Sequence, residues 1–179
     1  MTSTQDEIKE ASDDTLTRLF EFLEESNVPV DHLERLRKLS DDHECEEVLE
    51  RAENIGYCMP YMKHEELIRL LTVGWRHECA YKQILRKKAF RFCLRLESDN
   101  KTDSEELEEA RKKRDLIDHS CAVANLKLCK LQLVLRSYEE EEEANEQRNP
   151  YGDEEEKDHH NHDGIDNDDE EESKAGGRY

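Results

Sequence analysis

The stretch 103–138, DSEELEEARKKRDLIDHSCAVANLKLCKLQLVLRSY, contains the pattern that decides the fold. Steps of three and four residues connect ten of its positions, and only one of the ten is charged. These positions are Leu107, Ala110, Arg114, Ile117, Cys121, Ala124, Leu128, Leu131, Leu135 and Tyr138. A heptad seam of this kind, in a stretch without Pro or Gly, predicts one long helix that packs against another helical surface.

Charge is distributed unevenly along the chain. Charged residues make up 41% and hydrophobic residues 34% of the 179 positions, against about 25% and about 45–50% in a typical globular domain. Residues 139–179 hold 18 Asp and Glu against 4 Lys and Arg, so this segment carries -14 of the total net charge of -20. Because it also has almost no apolar side chain to bury, 139–179 is predicted to be a disordered acidic tail.

Three short amphipathic helices are predicted ahead of the long one. Apolar residues recur at helical spacing in the segments 14–26, 31–39 and 44–55. Asp13 or Asp14 is expected to cap the first helix, and residues 1–13 to form a flexible N-terminus. Gly56 is well placed as the left-handed residue that ends the third helix. Gly74 lies inside a later helical pattern, where it indicates a bend or a close helix crossing.

The later pattern is a second long helix, 63–97, which a short polar turn connects to 103–138. So short a loop makes antiparallel neighbours the expected arrangement. The predicted fold is therefore all-α, with one helical domain, 14–138. In this domain the short amphipathic helices, 14–56, pack on a long antiparallel helical hairpin, 63–138, and the disordered acidic tail follows.

The far half of the heptad seam is the predicted partner-binding surface, because the short helices can cover only part of it. Its residues are Ile117, Cys121, Ala124, Leu128, Leu131 and Leu135. They are expected to pack either on the short helices or on a protein partner, possible self-association included. The first functional hypothesis is thus a non-catalytic protein interaction module, an adaptor or a subunit of a larger complex.

A basic stripe at helical spacing is the second candidate surface. It consists of Lys82, Arg86, Lys87, Lys88, Arg91 and Arg95. Such a stripe can bind nucleic acid or phosphate, but a net charge of -20 disfavours a polyanion. We expect instead that folding back the hairpin pairs Arg91 and Arg95 with Glu105, Glu106, Glu108 and Glu109. The remainder of the stripe could attract the acidic tail.

The acidic tail supports an alternative function, a chaperone or escort for basic proteins such as histones. No phosphate-binding loop, nucleophile signature or Cys-x2-Cys knuckle occurs, so no enzyme, cofactor or metal is predicted. Some His and Cys side chains could in principle ligate a metal, but we expect them to have structural roles. These residues are His43, Cys45, Cys58, His77 and Cys79. Six widely spaced cysteines without a secretion signal predict an intracellular protein, cytoplasmic or nuclear, and no apolar run approaches the ~18 residues of a membrane span.

Two segments resemble a known family. They are LFEFLEESN at 19–27 and ELIRLL at 66–71, the latter followed by WRHE at 75–78. Over residues 14–86 the chain resembles death effector domains and the wider death fold, although Arg76-His-Glu-Cys stands where those domains usually have Arg-x-Asp-Leu. The resemblance implies homotypic helix-face assembly in an apoptotic or inflammatory adaptor, with Arg76 and Glu78 in the positions of a charge triad.

Overall fold

The computed structural model describes residues 3–99 and 103–148, which form helices connected by short loops. The helices are α1 (Thr4–Glu25), α2 (Val30–Asp41), α3 (Cys45–Cys58), α4 (His64–Ser98) and α5 (Ser104–Arg148). The described residues contain no strand, so the predicted all-α class is confirmed. Within the same ranges, no helix is long and apolar enough to cross a membrane.

The first helix begins about ten residues earlier than predicted, and the expected flexible N-terminus is wrong for residues 3–13. The hydroxyl of Ser3 accepts a hydrogen bond from the Asp6 amide, and the Asp6 carboxylate accepts one from the Ser3 amide. This capping box satisfies amide donors that the helix itself leaves free. Asp13 and Asp14 therefore lie in the interior of α1 rather than at its cap.

The third helix runs past the residue expected to end it. α3 continues to Cys58, and Gly56 is buried inside it without a left-handed backbone. A Cβ atom at Gly56 would lie 2.1 Å from Cδ2 of Leu67, so this glycine allows α3 and α4 to approach closely. Among the residues that the structure describes, the non-glycine residues with a left-handed backbone are Asn27, after α1, and His43, after α2.

The helix crossing predicted at Gly74 is confirmed. A Cβ atom at this position of α4 would lie 2.6 Å from Cδ2 of Leu49 in α3. The missing side chain therefore fixes how near the two helices come.

The central element is α4, which packs against α1, α3 and α5, whereas α2 packs on α1 and α3. The largest fully buried side chains of the apolar core come from several helices and include Trp75 of α4. They include Trp75, Leu19, Leu23, Leu36, Leu49, Leu67 and Leu71. Burial of apolar surface on α4 thus holds α1 and α3 in place, and α2 packs on these two helices.

Contacts between α4 and α5 run in opposite directions along the two helices. Lys82 donates to Ser120, Arg86 donates to Asp118, and the Cys93 thiol approaches the carbonyl oxygen of Ala110 at 3.4 Å. In these three contacts, residue numbers rise along α4 as they fall along α5.

The last ten residues of α5, 139–148, extend beyond the start of α4. His64, the first residue of α4, lines a small cavity together with Tyr138, so the following ten residues project about 15 Å past it. The prediction that disorder begins at 139 is wrong for these residues. The remainder of the predicted acidic tail, 149–179, lies outside the described residues.

Two leucines that are two positions apart test this arrangement. Leu131 is 2% exposed in the core, whereas Leu133 is 64% exposed on the opposite side of α5. We expect Leu131→Asp to abolish cooperative unfolding, because it places an unpaired carboxylate among apolar side chains. Leu133→Asp, the matched control, should lose only about 0.5–1 kcal/mol through lower helix propensity.

Chemical denaturation followed by far-ultraviolet circular dichroism measures both changes. Equal loss of stability in the two variants would contradict the orientation of α5.

Candidate protein interaction surfaces

The six seam residues that were predicted to bind a partner face into the molecule. Cys121, Ala124 and Leu131 are buried, and Ile117, Leu128 and Leu135 are half-buried. Ala124 and Leu131 belong to the main core, against which Leu128 and Leu135 also pack. With this seam closed inside the chain, a partner reaches it only if α5 separates from α4.

A salt bridge also ties this side of α5 to α3. Nζ of Lys127 lies 2.6 Å from a carboxylate oxygen of Glu53. Because Glu53 is largely shielded from solvent, this ion pair is screened less than a surface pair. It holds the middle of α5 next to the short helices.

The opposite side of α5 exposes a second series of apolar residues, which the prediction missed. They are Leu116, Val123, Leu126, Leu133 and Val134, and we call this series the outer face of α5. Leu116 is 71% exposed and Leu126 is 64% exposed. Steps of seven, three and seven residues connect the first four members, so these lie along one side of the helix.

The basic stripe divides into two environments. Lys82 is buried and Arg86 pairs with Asp118 of α5, so neither is a free surface charge. Lys87, Arg91 and Arg95 are exposed, and within residues 3–99 and 103–148 none of them pairs with a carboxylate.

Lys88 is also exposed, and it donates to the uncharged side chain of Gln5 at 2.6 Å. We call Lys87, Lys88, Arg91 and Arg95 the basic face of α4.

The ion pairs predicted between Arg91 or Arg95 and Glu105, Glu106, Glu108 or Glu109 are therefore wrong. Instead, Glu97 of α4 pairs with Arg111 of α5 at 2.8 Å, and Glu108 pairs with Lys112 on its own helix at 2.9 Å. The carboxylate is on α4 and the cation is on α5, which is the reverse of the predicted arrangement. The reason is that the helical phase of α5 brings Arg111 to the end of α4.

The buried ammonium of Lys82 connects α3 to α4. Its Nζ lies 2.7 Å from Oε2 of Glu46 and 3.4 Å from Oε1 of Glu78, and it also donates to Ser120 of α5. Burial disfavours the charged form of Lys82, but the ion pairs with Glu46 and Glu78 outweigh it and raise its pKa. Burial raises the pKa of Glu78, and Lys82 offsets only part of this effect.

The two residues that the family resemblance assigns to a charge triad lie in different environments. Arg76 is exposed on α4, whereas the Glu78 side chain is 15% exposed and paired with Lys82. Within the described residues, Glu78 therefore acts as part of the internal network.

An acidic cleft of about 800 Å³ lies between α1, the start of α3 and the middle of α4. Its lining carboxylates are Asp6, Asp13, Glu44, Glu46, Glu47, Glu50 and Glu78, and Lys9 is the one Lys or Arg among its lining residues. His43, Cys45 and His77 also line it, whereas Cys58 and Cys79 do not. Negative potential in this cleft favours a cationic ligand.

Burial favours the neutral forms of the Cys45 thiol and the His77 imidazole, whose pKa values are shifted accordingly. Burial, together with Glu78, raises the pKa of the Cys45 thiol. Burial, together with the nearby Arg76, lowers the pKa of His77. In the part of the chain that the structure describes, no three or more His, Cys, Asp or Glu side chains are placed to hold a metal ion.

Replacing Lys82 by Met tests the buried network. The variant keeps the apolar stem but leaves Glu78 without its cation, so we expect the free energy of unfolding to fall by on the order of 3 kcal/mol near pH 7.5. The folded-state pKa of Glu78 is raised, so protonation of Glu78 favours the folded state. The loss should therefore shrink as the pH falls through that folded-state pKa, which urea titrations at about pH 7.5 and about pH 5 would measure.

The double variant Lys82→Met with Glu78→Gln is the control. It should recover most of the lost stability near pH 7.5, because no buried carboxylate is left to ionise. A loss that is independent of pH would contradict the role given to Glu78.

Comparison of the chain with protein-family models, with curated proteins and with solved structures finds no match. Its function is therefore inferred from its own surfaces.

Proposed function

We propose that the chain is a non-catalytic helical interaction module, an adaptor or a subunit of a larger complex. Its docking surface is the outer face of α5, and the occupant is an amphipathic helix of another protein. One observation carries this proposal: apolar side chains stay exposed along 116–134, about 27 Å of a helix whose other side is already packed. Exposed apolar residues that gather on one side of a helix are typical of protein interaction sites.

The support for this surface is an antiparallel hairpin of α4 and α5, which we infer from the contacts of Lys82, Arg86 and Cys93 with α5. In such a hairpin α4 holds α5 straight and fixes the direction of its outer face. A partner helix then meets a preorganised row of side chains, which lowers the entropic cost of binding.

Charge argues against a second copy of the chain as the occupant. In a parallel pair of outer faces, the five glutamates of 139–143 would lie beside the same five glutamates of the other copy. In an antiparallel pair with Leu116 opposite Leu133, they would lie beside 106–110, which contains three glutamates. Both arrangements bring like charges together, which is unfavourable. A helix of different sequence, apolar on one side and not acidic at that end, avoids this repulsion.

Substitution of two outer-face residues tests the proposal. Leu126→Asp with Leu133→Asp should leave the protein folded, because both side chains are exposed, but weaken partner binding at least about tenfold. The matched control is Asn125→Asp with Gln132→Asp, which adds the same charges at the same spacing on exposed positions beside the face. Crosslinking in cells followed by quantitative mass spectrometry measures which crosslinked proteins each variant retains.

The expected pattern is selective loss with the leucine variant and retention with the control. Circular dichroism on both variants checks that the fold is intact. Equal retention by the two variants would exclude the outer face as the docking surface.

The second candidate function is an escort for basic proteins such as histones. Two features favour this function. One is the acidic cleft, which is a concave surface, and the other is the net charge of -14 over 139–179. Oppositely charged surfaces attract a partner over a Debye length and raise its association rate.

Neutralising three carboxylates of the cleft tests this candidate. Asp13→Asn, Glu44→Gln and Glu50→Gln together should weaken histone binding at physiological salt about tenfold or more. The control, Glu21→Gln, Glu25→Gln and Glu34→Gln, removes three exposed charges outside the cleft. Equal histone affinity for the two variants would exclude the cleft, and unchanged affinity after deletion of 149–179 would exclude the tail.

A further inference from the structure

We propose that the chain self-associates head to tail, with the acidic end of α5 in one copy docked on the basic face of α4 in the next. The acidic end is defined as residues 139–143, five consecutive glutamates. This association uses surfaces other than the outer face of α5, so it is independent of the proposed function.

The acidic end is exposed and uncovered. It lies in the part of α5 that projects beyond His64, and in the described residues none of its five carboxylates forms an ion pair. Its five glutamates are consecutive, so their like charges repel one another along the helix. A cationic surface of another molecule would relieve this repulsion.

The basic face is the complementary surface. Lys87, Arg91 and Arg95 are spaced four residues apart, so they lie along one side of α4 at steps of about 6 Å. Glu139 and Glu143 have the same spacing, so a helix–helix contact can form at least two charge-assisted hydrogen bonds at once. The dipole of α4 explains a cation in its last turn, such as Arg95, but not Lys87, which is more than two turns from the helix end.

Both ends also expose aromatic or apolar side chains. Phe92 and Leu94, each about half exposed, lie on the same part of α4 as the basic face. At the acidic end, Tyr57 shares a small cavity with Tyr138, and Tyr61 is 98% exposed in the loop before α4. Arginine stacks favourably on tyrosine rings, and apolar contact adds to the attraction between charges.

The two surfaces cannot meet within one molecule. Arg91 lies level with residues near 112 on α5, about 29 residues and therefore about 44 Å from the centre of the acidic end. The acidic cluster 153–158 would have to span about 54 Å with at most ten residues, which reach only about 34 Å, whereas the later cluster, 166–172, is far enough along the chain to span that distance and competes with a second copy for the basic face. A contact between two copies pairs the acidic end of one with the basic face of the other. Because the two surfaces differ, each copy of the pair still has one free surface, and further copies can add head to tail.

Nucleic acid and anionic membranes fit the basic face less well. The repulsion from a net charge of -20 grows with the number of charges that the ligand carries. A second copy also carries a net charge of -20, but its acidic end places only five glutamates against the basic face, whereas a polyanion or an anionic membrane presents a continuous array of negative charge.

Charge reversal at either end tests the inference. One variant reverses the basic face (Lys87→Glu, Arg91→Glu and Arg95→Glu), and the other reverses the acidic end (Glu139→Lys, Glu140→Lys and Glu143→Lys). Sedimentation velocity follows the mass of the full-length chain from about 5 to about 200 µM, in about 20 mM and about 500 mM NaCl. The wild-type mass should rise with concentration in low salt and return to the 21.2 kDa of one chain in high salt.

Each variant alone should remain at the mass of one chain. An equimolar mixture of the two should associate again, because both pairs of surfaces are then oppositely charged. A single chain with all six substitutions should also recover association while keeping the net charge of -20. If association returns in both cases, the single variants lost association because the contact was disrupted and not because the chain unfolded.

Three results would overturn the inference: a wild-type chain that stays at 21.2 kDa in low salt, variants that associate like the wild type, or a mixture that does not associate. Leu126→Asp with Leu133→Asp should self-associate normally. If that variant alone stopped self-association, the outer face would join two copies, and the proposal of a heterologous helix would fail as well.

Discussion

One helix, α4, provides the surface on which α1, α3 and α5 pack. Its contacts with α1, α3 and α5 place Trp75 at the centre and leave α5 with one main neighbour. A helix in contact with a single helix can bury only one side. The exposed leucines of the outer face follow from this constraint, since the sequence of α5 is apolar on two sides.

Close approach to α4 also explains the two buried glycines and the buried lysine. Gly56 and Gly74 remove side chains where α3 meets α4, and the gaps are filled by Leu67 and Leu49. Lys82 lies where α3, α4 and α5 converge, and two carboxylates and a hydroxyl satisfy its ammonium group. A polar group tolerated at such a junction sets the relative positions of three helices more specifically than apolar contact does.

Much of the fold was predictable from the sequence because helical periodicity is a local signal. The heptad seam of 103–138 has the correct phase, and Ala124 and Leu131 are buried as its pattern requires. The start of α1 was missed because its first turns are polar, so the capping box of Ser3 and Asp6 was the only signal. The helix over 139–148 was missed because composition argued against burial, although glutamate is itself a good helix former.

The surfaces were harder to predict, since they depend on contacts that are distant in sequence. In the segment LKLCKLQLVL, 126–135, both sides of the helix are apolar, and the sequence alone does not say which side a neighbour covers. Likewise, the pairing of Glu97 with Arg111 and the isolation of Arg91 are set by the helical phase of α5 relative to α4.

The position of α1 implies that stability decreases along the α4 and α5 pair. Contact between Gln5 and Lys88 marks the beginning of α1, and past this level α5 is the one described helix that packs against α4. Few buried side chains lie there apart from Cys93 and Ala110, so this end should open by local unfolding at lower free energy than the part around Trp75. Amide hydrogens near residues 90–114 would then exchange with solvent sooner than those of the core. The molecule thus combines a rigid helical body with a compliant two-helix arm, and the basic face of α4 lies on that arm.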